Sequence, residues 1–378
     1  MWFSNNVRRA MPLCLAAILL AGCGGSPAAA PASSAAPAQG SIAAKPSAAP
    51  AQGSSAAKPS GPAASAAASG QAVAIRSAYT TTSGTTIPVW VAKEGGYFAQ
   101  NGLDVSLTII APGAPILAAI ESGDVPISEA GGQEIVNAEI SGSNLVMVGG
   151  FGSKPTNSII TIPSIQKPED LKGKTIGVSG LGAVSHVAGL LAVDKLGLKG
   201  QVNFIATGGL PETLAGITSG KVDGGVLSPP QTFQAVKQGL REVVDIAKLG
   251  VFSQTSVVVT TRKYASDHPD IVERYLRAKI QGTHRAYTDQ ALAMQVITKY
   301  AKISDPDLAS KTYDYFHDGE LWGKDGLTNE AAIQTNLDVA AQTNAKAKDF
   351  KPAQMVDMSF IQKIKASGLI DQLWGKSS

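Results

Sequence analysis

The side chains able to do chemistry in this chain sit in short runs rich in hydroxyls and glycines. These are Thr81, Thr82 and Ser83 just after Tyr79; Glu129, Gly131 and Gln133 in SEAGGQ; Ser179, Gly180, Gly182, Ser185 and His186 in SGLGAVSH; Thr207 in TGG; and Ser228 before two prolines. Hydroxyls donate and accept hydrogen bonds, and glycines let backbone amides come close, so such runs suit the holding of a small solute. None of them contains Arg or Lys, which favours a neutral or singly charged organic solute over a doubly charged anion. Glu129 points the same way, because a carboxylate repels an anion unless it is itself paired. Bond-breaking equipment is not expected: there is no Gly-x-Ser-x-Gly elbow, phosphate-binding P-loop or His-Glu-x-x-His stretch. His186, His268, His284 and His317 lack close ligand spacing, so no metal site is expected. GLGAVS after TIGV falls short of a dinucleotide fingerprint, with Ser185 at the last glycine position and no acid ending the next strand, so no cofactor is expected either.

The runs fall between segments that alternate in type. AVAIRSAY (72–79), LDVSLTII (103–110), VPIS and NLVMVGGF read as strands, followed by TIGVSG, VNFIA and DGGVLS; helices are expected over 87–100, 115–122, 133–141, 183–196 and 211–220, and mostly helix after about Arg262. This alternation predicts an α/β fold with largely parallel sheets, in which ligands lie beyond the carboxyl ends of strands, against helix N-termini. Trp90, Tyr79 and Tyr97 are candidates for a stacking wall, of which Tyr79, at a strand end, is the better placed; Tyr97 and Phe98 read more readily as core, and Trp322 is a lesser candidate, for closing the cleft from the tail.

Outside the α/β part the chain reads differently. Arg8 and Arg9 precede an apolar run from Met11 to Ala21, too short to span a membrane and read as a secretion signal. Its end, Leu20-Ala21-Gly22-Cys23, resembles the bacterial lipobox, which implies cleavage after residue 22 and a diacylglycerol on Cys23. Cys14 would leave with the signal, so the mature protein would have no disulfide or thiol nucleophile. Residues 23–71 are almost only Ala, Pro, Ser and Gly, with AAPAQGSIAAKPS repeated at once as AAPAQGSSAAKPS, and read as a disordered tether. The chain holds 32 Lys+Arg and 29 Asp+Glu; setting aside Arg8, Arg9, Lys45 and Lys58 leaves 28 against 29, so nothing calls for nucleic acid as a partner.

The segment IPVWVAKEGGYFAQNGLDVSLTII resembles the opening of substrate-binding proteins for ABC importers in the nitrate, alkylsulfonate/taurine and thiamine-pyrimidine branch. ESGDVPIS, PEDLKGKTIGVSGLGAVSH and ITSGKVDGGVLSPP match the same family in order and spacing. The resemblance implies a type II periplasmic-binding-protein fold: one lobe from 72–163, a second from 164–260, and a return to the first over 261–378 with the C-terminal helices. It also implies a ligand head group at the Ser179–Ser185 turn; sulfonate, nitrate, pyrimidine precursor and aromatic acid all stay open as solutes. The expected function is capture of a small solute outside the cytoplasm and delivery to an ABC permease, by a lipid-anchored monomer without catalysis. The alternative is a lipid-anchored enzyme or sensor reusing this fold.

Overall fold

The computed structural model describes residues 72–375. The expected signal peptide, the lipidation site Cys23 and the tether lie outside these residues.

Ten strands form two five-stranded sheets. The first contains β1 (Val73–Tyr79), β2 (Leu103–Ile109), β3 (Ile127–Ala130) and β4 (Leu145–Gly152). The second contains β5 (Ser158–Thr161), β6 (Thr175–Val178), β7 (Asn203–Ala206), β8 (Gly224–Leu227) and β9 (Arg241–Asp245); β10 (Ser256–Thr261) returns to the first. The orders are β2-β1-β3-β10-β4 and β7-β6-β8-β5-β9. In each sheet one strand runs against its neighbours: β10 between β3 and β4, and β5 between β8 and β9. Each antiparallel strand is the first one laid down after the chain crosses between sheets.

The crossings lie elsewhere than the expected boundaries at 163 and 260. The first follows Gly152 and the second precedes Ser256, so SIIT belongs to the second sheet and SVVVTT to the first. All of SIIT and nearly all of SVVVTT is buried, and neither has the polar alternation that marks a strand in sequence. The two crossings run side by side, with the Ser253 amide donating to Ser153 O (3.2 Å) and Thr255 N to Gly152 O (2.9 Å). The helix expected over 87–100 is two, Ile87–Glu94 and Tyr97–Gln100, because Gly96 between them takes φ 74°, a left-handed conformation open to glycine at little cost.

The first sheet is covered on both faces. One face packs Trp90, Phe98, Tyr275 and Phe316 from the flanking helices, with Trp322 from the loop after the helix Pro306–Asp318; the other packs Ile116, Ile135 and Leu337. Tyr97, expected in the core, is only partly buried at its rim. The second sheet has thinner, mainly aliphatic cores around Ile176, Val178 and Val226 on one side and Leu214 and Leu227 on the other. The helices Ile87–Glu94, Ala114–Glu121 and Leu210–Thr218 each carry a proline in the first turn, where its missing N–H costs nothing. Each follows a strand of the parallel set, so its N-terminus lies at the carboxyl end of its sheet.

Candidate ligand-binding cleft

The carboxyl ends of the strands in both sheets border one cleft of roughly 630 Å³, counting its open mouth. From the first lobe come Tyr79, Thr81, Ser83, Glu129, Gly131 and Glu134; from the second, Ser179, Ser185, Leu210 and Ser228. Thr156 and Asn157 on the first crossing, with Thr255 and Ser256 at the second, also border it.

The lobes touch across the cleft. Ser83 Oγ and Ser228 Oγ are 2.8 Å apart, and Ser228 Oγ is also 3.0 Å from Thr156 Oγ1. The Gly84 amide donates to Pro229 O at 3.0 Å, and Gln231 Nε2 donates to Thr82 Oγ1 at 3.0 Å. Phe233 meets Tyr315 edge-on at 6.1 Å, and Lys237 pairs with Asp305 at the rim.

The deepest charged groups are on the first lobe. Glu129 stands opposite Tyr79 and Val258 in the sheet register, with its side chain on the face covered by the helix Pro269–Thr288. Lys279 from that helix donates to Glu129 Oε2 at 2.7 Å, with the lysine fully buried and Glu129 5% exposed. Burial pushes the Glu129 carboxyl up and the Lys279 ammonium down, while the charge of each opposes the other's shift. Beside them Tyr275 Oη and Ser77 Oγ are 2.9 Å apart, and burial first, then the Glu129 charge, holds the Tyr275 phenol well above its ordinary range. Glu134 accepts from the amides of Gly113 (2.7 Å) and Gly131 (2.8 Å), tying two loops to one carboxyl; burial pushes its pKa up to about 7 against those two bonds.

Residues 84–293 match the family described as NMT1/THI5 like, more than half of the sequence. The chain belongs to the NMT1/THI5-like family. A protein of Brachyspira hyodysenteriae named as an ABC transporter periplasmic binding protein is 23% identical over 154 residues, 39% of this chain and 44% of the relative. The formylaminopyrimidine-binding protein of Halalkalibacterium halodurans is 26% identical over 137 residues, 36% of this chain and 41% of the relative. The chain thus spans less than half the length of each of these curated relatives. The alkanesulfonate-binding protein SsuA of Xanthomonas axonopodis pv. citri, solved with MOPS, superposes with a TM-score of 0.64 at 17% identity, covering 77% of this chain and all of that one. At that identity the likeness is one of fold, the two-lobed periplasmic-binding-protein fold.

Within this family fold the sequence candidates divide. Tyr79, Thr81, Ser83, Glu129, Gly131, Ser179, Ser185 and Ser228 all border the cleft. Ser185 Oγ accepts from the Ser179 amide at 2.9 Å and lies 2.8 Å from Ser179 Oγ, so the turn is braced by its own hydroxyls. Thr82 serves the contact between lobes. Gln133, Gly180, Gly182, His186 and Thr207 do not border the cleft. Gln133 Nε2 donates to Asn137 Oδ1 at 3.0 Å within the helix Gly132–Ile140. Gly180 lies behind Pro112, and Gly182 takes φ 80° and donates its amide to His186 Nδ1 at 3.0 Å. The His186 ring sits edge-on to Phe204, and burial lowers its pKa. Thr207 Oγ1 donates to Val178 O at 2.8 Å inside the second lobe. Trp322 does not face the cleft: it is 2% exposed, and its Nε1 donates to Gly84 O at 2.8 Å, behind the first loop.

Among the bordering residues that the loop motifs did not include are Glu134, Thr156, Asn157, Leu210, Thr255 and Ser256. Lys279, the partner of Glu129, was also missed. Its signal was present, since Val272, Tyr275, Leu276, Lys279, Gly282, Thr283 and Ala286 form one buried stripe and a lysine in such a stripe demands a buried partner. Among the described residues no group of three or more His, Cys, Asp or Glu could hold a metal ion, and no helix is long and apolar enough to cross a membrane.

Proposed function

We propose that this protein captures a small organic solute between its two lobes, outside the cytoplasmic membrane, and delivers it to the permease of an ABC importer. The observation that carries the reading is a cleft bordered by loops of both sheets and by both crossings, with hydrogen bonds passing directly from lobe to lobe. A solute that contacts both walls only when they meet shifts the population toward the closed form by its differential affinity. The names of the curated relatives, one an ABC transporter periplasmic binding protein and one a formylaminopyrimidine-binding protein, support the same class. In this reading the leader ends at residue 22, Cys23 carries the lipid, and residues 23–71 tether a monomer at the membrane surface. Ser83, Glu129, Ser179, Ser185 and Ser228 would hold the solute, and nothing is broken or formed covalently.

Native mass spectrometry of the gently purified protein tests this. The expected result is a co-purified small molecule that is released chemically unchanged and raises the Tm when added back. Catalytic turnover of that molecule would overturn the reading. Ser179→Trp, which fills the cleft from the second lobe, is expected to abolish that stabilisation while leaving the far-UV CD spectrum unaltered.

A further inference from the structure

The turn SGLGAVSH of the second lobe packs directly on the first. A Cβ added to Gly180 would stand 3.5 Å from Pro112 O, and one added to Gly182 only 2.9 Å from Asn137 Nδ2. Val184, the first residue of the helix Val184–Lys195, presses on Gly131: a Cβ there would lie 2.6 Å from Val184 Cγ2, nearer than packed carbon atoms come. Gly131 has φ −81° and ψ 140°, an extended conformation open to any residue. Its backbone therefore does not call for glycine; the space in front of Val184 does. A valine in a helix is held to one side-chain rotamer, so its methyl cannot simply turn aside.

The first-lobe side of this seam is organised by one carboxyl group. Glu134 accepts from the amides of Gly113, next to Pro112, and of Gly131, at 2.7 and 2.8 Å, and Asn137 stands one turn further along the same helix. The contacts through Ser83, Gly84, Ser228 and Pro229 are hydrogen-bonded, whereas these are packed, so volume decides whether they can form. Resting on the solute-capture reading, we propose that Gly131 is the clearance on which full closure of the lobes depends: its missing side chain admits Val184, and Glu134 is the positioning residue that holds the loops of Gly113 and Gly131 where the turn lands. Gly180 and Gly182, which do not border the cleft, belong to the same seam.

The test is a disulfide trap on the closed contact. Ser83→Cys and Ser228→Cys, at positions whose Oγ atoms lie 2.8 Å apart, are introduced together into the full-length protein, and oxidised glutathione is added without solute. The rate at which positions 83 and 228 become joined, read by mass spectrometry of the linked peptides, follows the closed fraction. Gly131→Ala in this background should slow joining about tenfold, the effect of one methyl group too many in a packed contact. Adding Val184→Ala removes two methyl groups and should restore most of the rate. Glu134→Gln should slow joining about threefold, and Val184→Ala should not restore that loss, because loop position rather than volume has changed. If far-UV CD shows Gly131→Ala to be unfolded, Val184→Phe, which adds bulk from the opposite lobe at a partly exposed position, should slow joining in its place. Joining in Gly131→Ala, or in that substitute, as fast as in the parent pair overturns the clearance and leaves solute capture intact. A loss in Gly131→Ala that Val184→Ala does not restore puts the crowding inside the first lobe, at Glu134 Oε2, 3.2 Å from the added Cβ, and overturns it too. An undiminished rate in Glu134→Gln removes Glu134 from the seam. No joining in the parent pair shows that the lobes do not meet, and closure itself then falls.

Discussion

The two lobes share a sheet topology but are built from different material. The first buries Trp90, Phe98, Tyr275, Phe316 and Trp322 under its sheet and ties its deepest charge, Glu129, to a lysine from the C-terminal helices. The second is held by short aliphatic side chains, and its turn at Ser179 is braced by the hydroxyl of Ser185. Large aromatic cores resist deformation, and a buried ion pair fixes its partners in one geometry. The first lobe is therefore the anchor that fixes the cleft's chemistry, and the second is a lighter cover that supplies hydroxyls and backbone amides.

The largest test of this contrast is Lys279→Met. It leaves a buried carboxylate without its partner and should cost about 3–5 kcal/mol in urea denaturation, whereas Ser185→Ala in the second lobe should cost only about 1 kcal/mol. Equal losses would break the comparison. Next comes Glu134→Gln, which keeps one acceptor for the two amides of Gly113 and Gly131 and should cost about 1–3 kcal/mol at acid pH. Its pH dependence has a definite sign. The folded-state pKa of Glu134, about 7, lies above the ordinary 4.5, so the stability it contributes is fully present below 4.5 and is lost as pH rises through 7. The gap between wild type and Glu134→Gln should therefore narrow over that range; a gap that stays constant from about pH 5 to 7 would show the folded-state carboxyl to be ionised throughout. Ser228→Ala removes the hydroxyl that joins Ser83 to Thr156, and should shift the lobes apart by about 0.5–1.5 kcal/mol, seen as a larger radius of gyration in solution scattering. The smallest effect belongs to Lys237→Ala at the exposed rim: a change in solute affinity of about twofold or less that vanishes in about 1 M salt.

Much of this architecture is legible in the sequence because parallel strands and their helices alternate with distinct periods, and the loops at their carboxyl ends are where ligands gather. Tyr79, Ser83, Glu129, Ser179, Ser185 and Ser228 were singled out that way, and they border the cleft. Gln133, His186 and Thr207 lie in the same loops yet turn into local hydrogen bonds, and loop position alone does not give the direction of a side chain. The crossings were harder. Asn157 and Thr255 sit in segments with no repeating pattern, and their importance arises only when two stretches about a hundred residues apart come side by side. Lys279 shows the remaining gap: the helix was foreseen, but its partner across the sheet is a matter of tertiary packing.

Gly84 joins two contacts described separately. Its amide reaches Pro229 on the opposite lobe, and its carbonyl receives the indole N–H of Trp322. An indole hydrogen-bonded to a residue that also bonds across the lobes is placed to report their separation. Its ultraviolet emission should shift in step with opening and shutting, so the kinetics of solute uptake can be followed by stopped flow on the untagged protein, without attaching any dye.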